Sequence, residues 1–259
     1  MWIDVIDLRA FYATALGRLA RRLITRRLRD LWPDLRGRRV LGLGYATPYL
    51  ASFRDDAERV LAAMPVGQGV TRWPDPESGP GPSPVAGLVC LTEECALPFP
   101  DRSIDRLLLV HCLESTPEPR QLMRECWRVL AGGGRLLVVV ANRRGLWARA
   151  EHSPFAHGRP YSESQIAGLL RDGLFAPLQS APALFLPPVW WRLFGAWAAA
   201  LERVGARWFP TFAGVIAVEA EKQIYAVPWD AASVRVRGLA TAGRRIRPIG
   251  ASERTPLAR

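Results

Sequence analysis

Residues 40–48 read VLGLGYATP, and this stretch decides the fold. The apolar run from Arg39 to Gly44 reads as a strand, and Gly44 lets the backbone turn sharply. Thr47 then stands as an N-cap before Pro48 at the first helical position, where the missing N–H costs nothing. The predicted order is strand, tight turn, helix.

Outward from this element the pattern repeats. Further strands are predicted from Arg59 to Ala63, from Gly87 to Leu91, over Asp105 to Val110 (DRLLLV) and over Arg135 to Val140 (RLLVVV). From Glu118 to Leu130, Leu122, Cys126, Val129 and Leu130 share one face opposite charged residues, which describes a crossover helix. Gly132, Gly133 and Gly134 are expected to cap it and turn into the next strand. Ser162 to Asp172 (SESQIAGLLRD) reads as a helix with a capping serine, Phe185 as part of a short extended segment, and Gly214 to Glu219 as a last strand paired as a hairpin. Strands apolar on both faces and separated by helices indicate a parallel sheet covered on both sides, an α/β fold.

Upstream, Leu8, Phe11, Tyr12, Ala15, Leu16, Leu19 and Leu23 recur at helical steps, with Arg18, Arg21, Arg22 and Arg26 opposite. One amphipathic helix of roughly six turns is expected, ending before Trp32-Pro33. Residues 68–84, crowded with glycine and proline, read as loop, and from Val227 onward the apolar period is lost in a basic tail.

The whole chain has 259 residues, 49% of them hydrophobic, which suits one globular domain and excludes collagenous and low-complexity chains. Its 35 basic residues against 24 acidic, nearly all of the basic ones arginine, give a net charge of +11 and leave a phosphate-bearing partner open. Cysteines 90, 95, 112 and 126 form no Cys-x-x-Cys pair, and His111, His152 and His157 lack metal-ligand spacing, so no metal site is expected. The start of the chain has no uninterrupted apolar core, and a cytoplasmic location with reduced thiols is expected. Residues 183–205 are apolar but broken by Pro187, Pro188 and Arg192, so no spanning helix is expected. Peripheral membrane contact through Trp190, Trp191, Phe194 and Trp197 stays open beside the reading that packs these rings in the core.

VLGLGYATP, then EECALPFPDRSIDRLLLVHCLE, then LMRECWRVLAGGGRLLVVVANR together resemble the class I S-adenosylmethionine-dependent methyltransferases of the methyltransferase type 11 group. The likeness extends to a bacterial branch sharing LGLGYATPYL and NRRGLWAR, and it covers Leu35 to Glu221. It implies a Rossmann-like three-layer sandwich with a mostly parallel seven-stranded sheet and a final antiparallel strand. The implied division is a lid helix over residues 1–34, a methyltransferase domain over 35–222 and a basic, disordered tail over 223–259.

The resemblance also implies a site that binds S-adenosylmethionine. Gly44, Tyr45 and Ala46 match the loop holding the methionine part, Gly42 falls where the family usually has an acid, and Tyr12 lies on the lid. Ala63 and Met64 fall where the family usually has the carboxylate that binds both ribose hydroxyls. Losing such charge-assisted bonds costs roughly 1.5 to 3 kcal/mol, about ten- to hundredfold in affinity, unless another group replaces them. Glu93, Glu94 and Cys95 match the adenine loop, and His111 with Cys112 the rim where the methyl group meets its acceptor.

Methyl transfer is an in-line displacement, so alignment contributes most, while a hydroxyl or amine acceptor must lose a proton. His111, His157 and Tyr161 are the candidate proton carriers. The polar, aromatic stretch Asn142 to Ser162 is the candidate substrate loop. Within it Arg143, Arg144 and Arg159, together with Trp147, form a candidate site for a small acceptor carrying a carboxylate or phosphate. Two other readings stand beside a small-molecule enzyme. One is a nucleic-acid enzyme, although the chain has His111-Cys112-Leu113-Glu114 where base-amine enzymes carry an Asn/Asp-Pro-Pro-Tyr type tetrad. The other is a non-catalytic domain that binds a protein, membrane or nucleic-acid partner.

Overall fold

The computed structural model describes residues 2–74, 87–188, 190–191, 197–208 and 210–224. The expected tail from Val227 onward lies outside them, as do Phe194 and residues 75–84 of the expected 68–84 loop.

Seven strands form one sheet in the order β3-β2-β1-β4-β5-β7-β6. They are β1 (Arg39–Gly44), β2 (Arg59–Pro65), β3 (Val89–Thr92), β4 (Ile104–Val110), β5 (Leu130–Ala141), β6 (Phe175–Ala183) and β7 (Val215–Lys222). Strands β1 to β5 pair in parallel, and β7 runs antiparallel to both β5 and β6. The strand order reverses between β1 and β4, the place where open α/β sheets hold ligands at the carboxyl ends.

The strands alternate between two cores. Leu107 and Leu109 of β4 join Leu136 and Val138 on one face, where α4 (Pro119–Val129) and α5 (Glu163–Asp172) cover them. Leu108 and Val110 join Leu137 and Val139 on the other, under α1 (Val5–Ala13), α2 (Ala15–Leu31) and the single turn α3 (Thr47–Leu50). A last helix, α6 (Ala198–Trp208), precedes β7. Among the described residues no helix is long and apolar enough to cross a membrane.

The structure corrects the sequence reading at four places. The expected single N-terminal helix is two helices broken at Thr14, whose hydroxyl donates to the Phe11 carbonyl (2.7 Å) and accepts from the Gly17 amide (2.9 Å). Gly17 permits the break, since a Cβ there would fall 2.0 Å from the Phe11 oxygen. Thr47 begins α3 rather than capping it, and Ala46 stands at the N-cap. The glycines after α4 do not cap it, because Leu130 is already extended. They form an irregularity inside β5, where Ile104 faces Leu130 and Arg106 faces Arg135, and only Gly133 is left-handed (φ +69°). Finally, β6 lies ahead of Phe185, in FAPLQSAPA. Pro177 and Pro182 are tolerated there because β6 is an edge strand paired only with β7. At Ser162 the capping box with Gln165 forms as its sequence suggests.

One buried carboxylate ties the N-terminal helices to the far side of the sheet. Glu219 of β7 accepts from Trp32 Nε1 (3.0 Å), Arg135 Nη1 (3.0 Å) and Gln179 Nε2 (2.7 Å), so its charge is paired and bonded rather than stranded.

Candidate active site

The carboxyl ends of β1, β2 and β4 meet under α1. Gly44 turns the chain at φ +81°, and a Cβ there would fall 2.3 Å from the Val110 oxygen, so only glycine lets β1 leave the sheet this close to β4. The Tyr45 amide donates to the same carbonyl (2.9 Å). Gly42 is packed in the same way, its open side filled by Leu50 and Ala46.

Above this turn sits an aromatic cluster. Tyr12 of α1 stacks on Tyr45 (5.7 Å, 28°) and meets Tyr49 and His111 edge-on, each at 5.9 Å between ring centres. Its hydroxyl lies 2.7 Å from the Tyr49 hydroxyl and 2.8 Å from His111 Nε2. Phe155 packs on His111 at 4.8 Å and, edge-on, on Trp147 at 5.8 Å. Burial drives the His111 pKa down to about 3, so its ring is neutral at neutral pH, and it pushes the Tyr45 phenol up to about 12. His111 also takes a left-handed backbone (φ +52°) directly after β4, a strained conformation for a non-glycine residue at the rim.

The loop after β2 comes up against α1. The Val5 amide donates to the Gln68 carbonyl (2.8 Å), Val5 lies against Gly69, and the Trp2 indole fills the space beside Gly67. The Gln68 side chain is buried; its Nε2 donates to the His111 carbonyl (3.1 Å), while its Oε1 has no partner. A second buried oxygen, Glu114 Oε2, is likewise unpartnered, although Glu114 Oε1 accepts from the Ala141 amide (3.1 Å) at the end of β5. Burial pushes the Glu114 carboxyl up to about 7.

The residues singled out from the sequence for the cofactor therefore fall into three groups. Tyr12, Tyr45 and His111 are in mutual contact, with Gly42, Gly44 and Ala46 directly beneath. Ala63 and Met64 are fully buried at the end of β2 and supply no polar atom. Beyond β3, Glu94 accepts from the Thr116 hydroxyl (3.2 Å), Glu93 bridges to Ala96, and burial lifts the half-buried Cys95 thiol to about 11.

The substrate loop is split. Arg143, Arg144, Arg159 and His157 are exposed, and His157 Nδ1 lies 3.2 Å from the Ser153 carbonyl. Tyr161 is half-buried, donates to the Leu113 carbonyl at 3.4 Å, and has its pKa raised by burial first and by Glu114 second. Trp147 points inward, its indole donating to the Leu186 carbonyl (2.9 Å). The Arg159 amide donates to the Glu114 carbonyl (2.9 Å), which ties this loop to the segment after β4.

Gln68, Glu114, Tyr49 and Phe155 are the residues that sequence reasoning missed. Glu114 was legible as an acid four residues past a buried strand. Gln68 carried no signal, since a glutamine in a Val-Gly-Gln-Gly loop reads as solvent-facing.

The strand order, the reversal between β1 and β4 and the antiparallel β7 define the fold of the class I S-adenosylmethionine-dependent methyltransferases. Residues 41–138 match the methyltransferase domain family, and S-adenosylmethionine is the cofactor that goes with this fold. Among solved structures, an S-adenosylmethionine-dependent methyltransferase from Thermotoga maritima superposes with a TM-score of 0.57 at 16% identity, covering 85% of this chain and 96% of that one. One from Aquifex aeolicus gives 0.57 at 14% identity, covering 85% and 100%. A chain of the complex between the Haloferax volcanii Trm112 methyltransferase activator and a methyltransferase gives 0.58 at 18%, covering 85% and 99%. At these identities the likeness speaks for the fold alone. A search of curated proteins finds no match by sequence.

Proposed function

We propose that the protein transfers a methyl group from S-adenosylmethionine to a small acceptor at the crevice over β1, β2 and β4. The observation that carries this reading is the pair of buried, unpartnered oxygens, Gln68 Oε1 and Glu114 Oε2, on the loops at the strand ends where this fold takes its ligand. A buried acceptor without a donor costs about 1 to 3 kcal/mol, and a ligand's N–H or O–H would remove that penalty.

The donor set fits the cofactor with one exchange of residue. Gly42, Gly44, Tyr45 and Ala46 would line its methionine part, and Glu93, Glu94 and Cys95 its adenine edge. Ala63 and Met64 offer no carboxylate for the ribose, and Gln68 Oε1 supplies the missing acceptor from the next turn of chain. When bound, the cofactor supplies an electrophilic methyl group on a sulfonium. Tyr12 closes over this space, so α1 acts as a lid that lifts to admit the nucleoside.

Glu114 Oε2 takes the acceptor's proton, its raised pKa placing it near the working pH. His111, neutral and bonded to Tyr12, positions the rim, with His157 and Tyr161 as the other proton carriers. Arg143, Arg144 and Arg159 are exposed on the loop beside the crevice and hold a carboxylate or phosphate on the acceptor, while Trp147 braces the loop from beneath.

Calorimetric titration of the full chain with S-adenosylmethionine and S-adenosylhomocysteine tests the reading. Saturable heat below millimolar ligand is expected. The stacking of Tyr12 on Tyr45 favours the second reading, a non-catalytic domain whose crevice is sealed by its own rings, and silence at millimolar ligand would establish that one instead.

A further inference from the structure

Helix α2 is sealed against the sheet along one side. Its buried residues Gly17, Ala20, Leu23, Ile24, Leu28 and Leu31 fall within an arc of about 140°, at about 100° per residue. Arg18, Arg22, Arg26 and Arg29 fall within about 80° on the opposite side, and the one other residue of the helix in that narrower arc is Ala15. Packing of the buried side therefore holds a row of guanidinium groups outward.

Arg29, at the end of the row, is engaged by Asp56 and the Ser52 carbonyl, and Arg18 Nη1 donates to the Ala13 carbonyl. Arg22 and Arg26 are exposed, as is Arg21 on the flank, and among the described residues these three make no ion pair and no side-chain hydrogen bond. Asp30, the only carboxylate of α2, pairs with Arg27 (3.7 Å). Arg18, Arg22 and Arg26 stand at successive i, i+4 positions, about 6 Å apart along the axis, where like charges repel and destabilise a helix. Single exposed arginines are ordinary. A row of them with no acid between carries a standing repulsion that an anion laid along it would relieve.

The chemistry of the face selects among anions. It has no aromatic ring and no large apolar side chain, so nothing in it would enter a lipid boundary or form the apolar centre of a protein interface. It also offers no ring on which an unpaired base could stack. A duplex backbone needs neither, since its closely spaced phosphates are met by guanidinium groups alone. We propose that the outward row of α2, Arg18, Arg22 and Arg26 with Arg21 on its flank, docks on the phosphate backbone of a nucleic-acid duplex. The net charge of +11 adds a longer-range attraction that salt screens.

The test is fluorescence anisotropy of a short, labelled, mixed-sequence DNA duplex titrated with the full chain at several salt concentrations. Binding is expected at low salt, and the logarithm of affinity should fall against the logarithm of salt with a slope of about −3, as for three or four phosphate contacts. Arg22→Gln with Arg26→Gln should flatten that slope by about 2 and weaken binding at about 50 mM salt at least tenfold. Arg120→Gln with Arg124→Gln removes the same charge from exposed positions of α4, on the other face of the sheet, and should weaken binding less than about threefold. An unchanged melting temperature confirms that both variants are folded. The proposal is overturned if the duplex does not bind at low salt, or if the two double variants lose affinity equally, which would leave only the general charge of the chain. Binding of a labelled poly-aspartate peptide that depends on Arg22 and Arg26, with no binding of the duplex, would overturn it in favour of an acidic protein segment.

Discussion

The Tyr12 hydroxyl and His111 Nε2 lie 2.8 Å apart, across 99 residues of sequence, and this contact joins the N-terminal helix to the end of β4. Both groups are buried, and the same hydroxyl lies 2.7 Å from that of Tyr49. Tyr12→Phe keeps the ring packing and leaves two buried polar atoms without a partner. A loss of about 1 to 3 kcal/mol is expected, seen as a lower urea midpoint at unchanged slope. A variant as stable as the parent would show that the hydroxyl adds nothing to the clasp.

His111 and Glu114 tilt the pH dependence of stability in opposite directions. His111 is held near 3 against an ordinary 6.5, so between those values the unfolded chain binds the extra proton and stability falls as the pH falls. Glu114 stands at about 7 against 4.5, so there the folded chain holds the extra proton and stability falls as the pH rises. Over the shared window these two slopes oppose each other. Glu114→Gln removes one of them, and every other group titrates alike in both proteins. The stability difference between variant and parent should therefore grow in the variant's favour from pH 4 to pH 8, by about 3 kcal/mol. Parallel curves in denaturant titrations at several pH values would mean that the carboxyl ionises as it does in water.

How far the sequence reached follows from what each residue's neighbours are. Strands such as DRLLLV and RLLVVV are apolar on both faces, and local pattern alone placed them to within a few residues. β6 escaped because Pro177 and Pro182 argue against a strand unless its edge position is known, and that position depends on β7, some forty residues on. The turn after β1 was legible through Gly44, since left-handed backbone is a local demand. Gln68 was not legible, because its burial depends on α1 folding back over the loop, a contact between segments that no spacing rule relates.

Gly44→Ala tests the turn itself. The left-handed backbone penalises any side chain, and here the new Cβ would also meet the Val110 oxygen at 2.3 Å and the Cys112 Cβ at 2.8 Å. The turn cannot relax away, because the Tyr45 amide is bonded to that same carbonyl. Gly37, at φ +65° with nothing within 4 Å, isolates the backbone penalty alone. Gly37→Ala should cost about 1 to 2 kcal/mol, and Gly44→Ala more than that. Equal melting temperatures for the two variants would mean that the close approach of β1 to β4 is not under steric pressure.

Gln68→Leu separates ligand binding from folding. The substitution removes the donor to the His111 carbonyl but also the buried, unpartnered oxygen, and the two effects on stability oppose each other. The net change should stay within about 1 kcal/mol. Affinity for S-adenosylhomocysteine, in contrast, should fall roughly two- to tenfold, the worth of one neutral hydrogen bond. If that bond comes from the ribose, a dideoxyribose analogue should bind parent and variant alike, and the resulting cycle isolates the pair from any general loosening of the site. Equal losses with both ligands would place Gln68 among the residues that shape the crevice without touching the sugar, and the missing carboxylate at Ala63 and Met64 would then have no replacement in Gln68.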